Sequence, residues 1–254
     1  MKPTMFPLGL TSVTFRGKSI PEVASLAKQA GLSLIEWGGD IHVPPSDRAA
    51  IAEACRAMQT YGLSCQSYGS YYRVGDGEPE QFRAICETAA ALGAETVRTW
   101  LGRKGSALVS EEERATLLGE TRSLAAIAES FGLTLAFEFH GKTYNDTGET
   151  SLAFWRDVAR PNVKTYWQPL AFGDSEANLR RILPALCTVH VFHWDSENSR
   201  FPLADGIEPW RRYLSVLRDA GRACPLLLEF VQNDDEEQFL RDARTLAALA
   251  AEAN

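Results

Sequence analysis

An amphipathic stretch, a glycine and then an apolar run follow one another in that order again and again along this chain. The junctions read QAGLSLIEW at Gly31, TYGLSCQSY at Gly62, ALGAETVRTW at Gly93, SFGLTLAFEF at Gly132 and DAGRACPLLLEF at Gly221. A glycine just past a helix takes the left-handed conformation that ends it without a steric penalty, and the chain turns straight into a strand. Helix starts keep the same phase. Ser19 with Glu22, and Ser110 with Glu113, have capping-box spacing, and the segments behind them place apolar residues at helical intervals. Strand-like runs near Leu8, Leu34, Cys65, Thr96, Leu135, Lys164, Val189 and Leu226 lie one βα unit apart. Eight such units in about 250 residues predict an α/β fold of the (β/α)8 TIM-barrel type. A doubly wound open sheet is disfavoured, because the first βα turn, TSVTFRGKS, lacks GxGxxG and no GxxxxGKS/T occurs anywhere. With 45% hydrophobic residues the chain fills one large core, and residues 1–254 read as a single TIM-barrel domain.

Charge and cysteine content narrow the function classes. Twenty-six basic against 33 acidic residues give a formal charge of -7, which repels a phosphate backbone, so nucleic acid is not the expected partner. Cys55, Cys65, Cys86, Cys187 and Cys224 form no CxxC pair, which argues against a disulfide framework and a thiolate zinc site and places the chain in a reducing cytoplasm. The opening MKPTMFPLGLTS is too short in apolar residues for a signal peptide, and no run approaches membrane-spanning length. No membrane partner is expected, and association into a homo-oligomer is left open.

Barrel enzymes do their chemistry at the carboxyl ends of the strands, where the loops converge on one mouth. All four histidines, His42, His140, His190 and His193, fall at such ends, as do Glu138 in LAFEFHG and Glu229 in PLLLEFVQND. Glu138 and His140 are two residues apart and share one side of a pleat, which suits either a bound cation or a structural carboxylate–imidazole pair. Glu229 follows three leucines, and its burial needs either a cation or a partner such as Arg98 on the fourth strand. His190 and His193 face opposite ways on a regular strand; His190, nearer the centre, is the expected inward one, and His193 belongs to the loop or behind the ligands. Gln168 in TYWQPLAF offers an uncharged amide oxygen, to a metal or to loop backbone. Trp37, Trp100, Trp167 and Trp194, with Tyr68, Tyr71 and Tyr72 nearby, read as an aromatic rim suited to the C–H faces of a carbohydrate.

These residues resemble the sugar phosphate isomerase/epimerase family, the xylose isomerase-like barrels that include the tagatose and psicose 3-epimerases. The resemblance spans essentially the whole chain and rests on the glutamate ending strand five, the histidine of strand seven, the glutamate ending strand eight and the RFPLADGIEPW segment, similar to the family's Arg-containing loop. It implies one divalent metal ion, Mn2+, Zn2+, Co2+ or Mg2+, held at the positions of Glu138, Gln168, His190 and Glu229. Gln168 stands where the family carries aspartate, which removes one negative charge and weakens the site; His140 is a candidate compensating nitrogen ligand. The implied function is a metal-dependent isomerase or epimerase of a sugar or sugar derivative, abstracting a proton next to a carbonyl through a metal-stabilised enediolate. Glu138 and Glu229 are the expected acid/base pair. Glu36, Trp37, His42, Tyr68, Arg98, Trp100, His140, His193 and Arg200 are candidate contacts to a small-molecule carbohydrate substrate. Neither a free nor a phosphorylated sugar is singled out, because no Lys/Arg cluster along the sequence announces a phosphate pocket. A dehydratase acting on a keto-inositol or related cyclic polyol begins with the same proton abstraction and is the nearest alternative. An abasic-site endonuclease, needing more metal ligands and a basic surface, and a non-catalytic sugar-binding barrel are further from the pattern.

Overall fold

The computed structural model describes residues 4–197 and 199–253. Eight parallel strands close in sequence order: β1 (Leu8–Thr11), β2 (Leu34–Gly38), β3 (Ser64–Val74), β4 (Thr96–Leu101), β5 (Thr134–Phe137), β6 (Val163–Trp167), β7 (Leu186–Val191) and β8 (Leu226–Leu228). The cylinder is sealed where Leu8, Gly9 and Leu10 of β1 pair with Leu226, Leu227 and Leu228 of β8. Every expected strand position lies in a strand, with Leu8, Leu34, Thr96 and Leu226 at the first residue.

Helices follow each strand: α1 (Ile20–Gln29), α2 (Arg48–Tyr61), α3 (Pro79–Ala91), α4 (Glu111–Ser130), α5 (Gly148–Val158), α6 (Ser175–Ile182), α7 (Ile207–Asp219) and α8 (Glu236–Ala253). The five junction glycines are all left-handed, with φ between +61° and +74°. At α1 and α4 the capping boxes form: Ser19 N donates to Glu22 Oε2 at 2.7 Å, and Glu113 N donates to Ser110 Oγ at 3.2 Å. No helix among the described residues is long and apolar enough to cross a membrane.

Alternation along the strands decides which side chains reach the lumen. Glu36, Ser67, Arg98, Tyr166 and His190 turn inward and bond or pair with one another. Their immediate neighbours turn outward into the layer between barrel and helices. Trp37 directs Nε1 at Met58 Sδ of α2, 3.4 Å away, and Trp167 packs edge-on against Trp210 and Tyr213 of α7. All five cysteines are free, and burial pushes the thiols of Cys86, Cys187 and Cys224 up to about 12.

Candidate active site

The mouth is built one residue beyond two short strands. Glu138 N donates to Thr99 O and Glu229 N to Val191 O, both at 3.0 Å, so each glutamate extends the parallel ladder by one step and carries its side chain over the lumen. Between them stands His190, fully buried on β7. Its Nδ1 lies 3.1 Å from Glu229 Oε2 and 3.2 Å from Gln168 Oε1. Its Nε2 is 3.8 Å from Glu36 Oε1 and makes no hydrogen bond among the described residues.

Arg98 ties the other half together. Its Nε donates to Glu36 Oε1 at 2.8 Å and its Nη1 to Glu138 Oε2, which also accepts the indole N–H of Trp100. Glu36 Oε2 accepts Ser67 Oγ at 2.7 Å and the Tyr166 hydroxyl at 3.0 Å. Gly69 leaves the room for this arginine: a Cβ there would sit 2.6 Å from Arg98 Nη2. Tyr71 completes the wall, with the Arg98 guanidinium 5.4 Å from its ring centre and Trp100 edge-on at 5.6 Å.

Charge and burial set the protonation states. Burial alone would push the Glu36 carboxyl up, but the Arg98 guanidinium and the nearby His190 imidazole hold it well below the usual carboxylate range. Glu138 is lowered in the same way: desolvation is outweighed by Arg98, His190 and His140. Burial disfavours a charged imidazole at position 190, yet Glu229 and Glu36 push His190 up to about 10. Both glutamates are therefore anions at neutral pH, and the histidine holds a proton until a cation displaces it.

The residues fit a metal ion. One ligand atom each from Glu138, His190 and Glu229 lies within 4.8 Å of the others, and Gln168 adds its amide oxygen beside His190 Nδ1. Glu229 Oε2 and Gln168 Oε1 are acceptors, so His190 Nδ1 between them donates when it carries a proton, and without that proton all three can turn to a divalent ion. Two carboxylates, an imidazole and an amide oxygen are a donor set for Mg2+, Mn2+ or Zn2+.

Several candidate contacts stand elsewhere. Trp37 and Tyr68 are fully buried and face away from the mouth, because each directly follows an inward residue, Glu36 and Ser67. The Tyr68 hydroxyl is spent on Val43 O at 2.6 Å. Glu36 is in the lumen, but only 1% exposed and occupied by Arg98, Ser67 and Tyr166; it orients the arginine. His42 bonds Lys18 O at 3.1 Å with its ring against Trp37. His193 packs against Gly206, where a Cβ would lie 2.6 Å from its Nδ1. His140 stacks on Trp100 at 5.4 Å with Nδ1 on Gly141 O, outside the ligand cluster, so it does not make up for the charge that Gln168 lacks. Of the aromatic rim, Tyr71, Trp100 and Trp194 stay at the mouth, whereas Trp167 faces α7 and Tyr72 packs on Phe82 of α3. Ser67 and Tyr166 escaped the sequence reading, although each lies at inward parity, Tyr166 two residues before Gln168.

A cavity of about 440 Å³ opens beside this centre, with His140, Gln168, Phe172, Phe192 and Trp194 in its walls.

Residues 24–249 match the family model of the xylose isomerase-like TIM barrel. The chain belongs to that family. A 3-dehydroshikimate dehydratase from Bacillus anthracis is 26% identical over 172 residues, 65% of this chain. The match spans 60% of that relative's length. Among solved structures, the probable 3-DHS dehydratase AsbF of Bacillus anthracis superposes with a TM-score of 0.83 at 17% identity, covering 95% of this chain and 99% of that one. The D-allulose 3-epimerase from Methylomonas sp. superposes at 0.76 and 17%, covering 98% and 99%. At such identities the structural likeness carries the barrel and not the reaction. This xylose isomerase-like barrel thus has epimerases and a dehydratase as neighbours.

Proposed function

We propose that this xylose isomerase-like barrel is a divalent-metal-dependent isomerase or epimerase of a sugar or sugar derivative. The observation that carries it is the convergence of Glu138, His190 and Glu229, from three separate strand ends, on a common point inside the mouth. A divalent ion held there by these three and Gln168 would supply charge to neighbouring substrate oxygens, easing removal of the weakly acidic C–H proton beside a carbonyl. Arg98 and Trp100 fix Glu138 through one carboxylate oxygen and keep it ionised, in the state that takes a proton. Glu229 approaches from β8, across the lumen, and is oriented by His190; it is placed to return the proton to the opposite face.

Dehydration of a keto cyclic polyol is the second reading, favoured by the sequence match to the 3-dehydroshikimate dehydratase. It uses the same first proton transfer and then expels a hydroxyl. Product analysis by NMR in D2O separates the two. Solvent deuterium at an isomerised or inverted carbon supports the first, and loss of water with formation of a double bond supports the second. Failure of the purified protein to bind Mn2+ in isothermal titration removes both.

A further inference from the structure

Beside the mouth lies a second cavity, of about 420 Å³, whose charged wall no sequence run announces. Arg16 and Lys18 come from the loop after β1, Arg200 from the loop after β7, and Phe230 and Asp234 from the segment after β8. Three cations against one carboxylate line a hollow in a chain of formal charge -7. Each of the three cations has one carboxylate partner. Arg16 reaches Asp40 and Lys18 reaches Glu236, neither of which lines the cavity. Arg200 bonds Asp234 at 2.7 Å, and among the described residues it donates through Nη1 alone. Its guanidinium is stationed 4.5 Å above the Phe230 ring.

Two features join this hollow to the reacting centre. Phe230 directly follows Glu229, and with φ of +58° it adopts a backbone conformation that aromatic residues rarely take. Its N–H is secured by Thr14 Oγ1 at 2.9 Å, so one strained step sends Glu229 into the mouth and the next ring under Arg200. On the other side Arg16 donates to the Tyr71 hydroxyl at 2.9 Å, and the Tyr71 ring lies against Trp100 and Arg98; Tyr71 too is left-handed, at +58°. Phe230, which lines the hollow, and Tyr71, which joins Arg16 to Trp100 and Arg98, are the two left-handed aromatic residues of the described chain.

We propose that this hollow is a subsite for an oxyanion, a carboxylate or a phosphate, carried by the substrate whose carbon chemistry takes place at Glu138 and Glu229. The inference rests on the proposed function and narrows it: the substrate is an anionic polyol and not a neutral sugar. Convergent cations at a cleft wall give an anion both affinity and steering.

Isothermal titration of the Mn2+-loaded chain tests it with two pairs of probes, shikimate against its methyl ester and D-allulose 6-phosphate against D-allulose. In at least one pair the charged member is expected to bind tenfold or more tightly than the neutral one. Discrimination confined to the first pair identifies the group as a carboxylate, and confined to the second, as a phosphate. Lys18→Gln and Arg200→Gln are each expected to cut the ratio to about threefold or less, and Arg200→Lys to retain most of it. Ratios near one in both pairs, ratios unchanged in the Gln variants, or binding of none of the four overturn the subsite. The Mn2+ titration that precedes the probes keeps the two readings apart. No Mn2+ binding removes the proposed function together with the subsite, whereas a loaded chain without charge discrimination removes the subsite alone.

Discussion

At Gln168 an uncharged amide, on a side chain one methylene longer than the family's aspartate, departs from the expected ligand set, and its consequence is read in metal affinity. A carboxylate of the same length at this position, as in Gln168→Glu, would put a charged oxygen where the amide oxygen now lies, 3.2 Å from His190 Nδ1. The same charge should tighten Mn2+ binding by roughly tenfold or more, since a carboxylate neighbour at a few ångströms is worth over a kcal/mol even when well screened. A variant that gains no Mn2+ affinity would place Gln168 outside the ligand set. Glu138→Gln addresses the chemistry. Loss of a positioned general base typically costs about 10²–10⁴ in rate, so kcat should fall by that order while equilibrium binding of the sugar persists. Unchanged turnover would remove Glu138 from the acid/base role. The sequence made these two residues legible because an amide or carboxylate closing a run of buried apolar residues has no packing use. Trp37 and Tyr68 were misplaced because position near the mouth was weighed and parity was not. Counting in twos from Glu36 and Ser67 sends both rings outward, and the same count from Gln168 finds Tyr166.

At the scale of strands and helices, two glycines outside the helix–strand junctions separate packing from propensity. Gly69 on β3 pairs with Arg98 on β4, and an added Cβ would meet Nη2 at 2.6 Å and Glu36 Oε1 at 3.1 Å. Gly69→Ala should therefore displace the guanidinium from its two carboxylates, at a cost of about 3 kcal/mol by analogy with broken buried ion pairs, read as a drop in unfolding midpoint and in Mn2+ affinity together. Gly119 lies within α4 with open space around it and no positive φ. There Gly119→Ala should stabilise by about 0.5–1 kcal/mol through helix propensity, with activity unchanged. If both substitutions shift the midpoint alike, the close approach at Gly69 is not what holds Arg98. The five helix–strand junctions were legible because each ends on a glycine that must be left-handed. The end of α5 was silent for a physical reason: Ala159 takes that conformation, at φ +52°, without being a glycine, and α6 passes into β7 with neither.

Closure into a cylinder brings three anions and two cations into one dry volume, so the stability of the whole molecule should follow pH in a defined way. Glu36 and Glu138 titrate below their ordinary value of 4.5 when folded, so their contribution is present above pH 4.5 and is lost as the pH falls beneath it. His190 titrates above its ordinary 6.5, at about 10, so its contribution is complete below pH 6.5 and is lost as the pH rises toward 10. The metal-free protein should therefore melt highest between about pH 4.5 and 6.5 and lose several degrees by pH 9. Metal reverses the alkaline limb. An ion takes the place of the His190 proton, and binding that releases a proton strengthens as the pH rises. The increase in melting temperature on adding Mn2+ should accordingly be larger at pH 8 than at pH 5.5. A metal-free melting temperature that stays level from pH 5 to 9, or an Mn2+ shift that is the same at both values, would mean that His190 is neutral in the folded chain and that Glu229 and Glu36 do not hold its proton. The barrel is what allows this coupling. Residues 36, 138, 190 and 229 are separated by at least 39 positions in the chain, and in an unfolded ensemble their charges are screened from one another by solvent and salt. The pH dependence is thus a property of the closed cylinder, and it should vanish with the same cooperative transition that opens it.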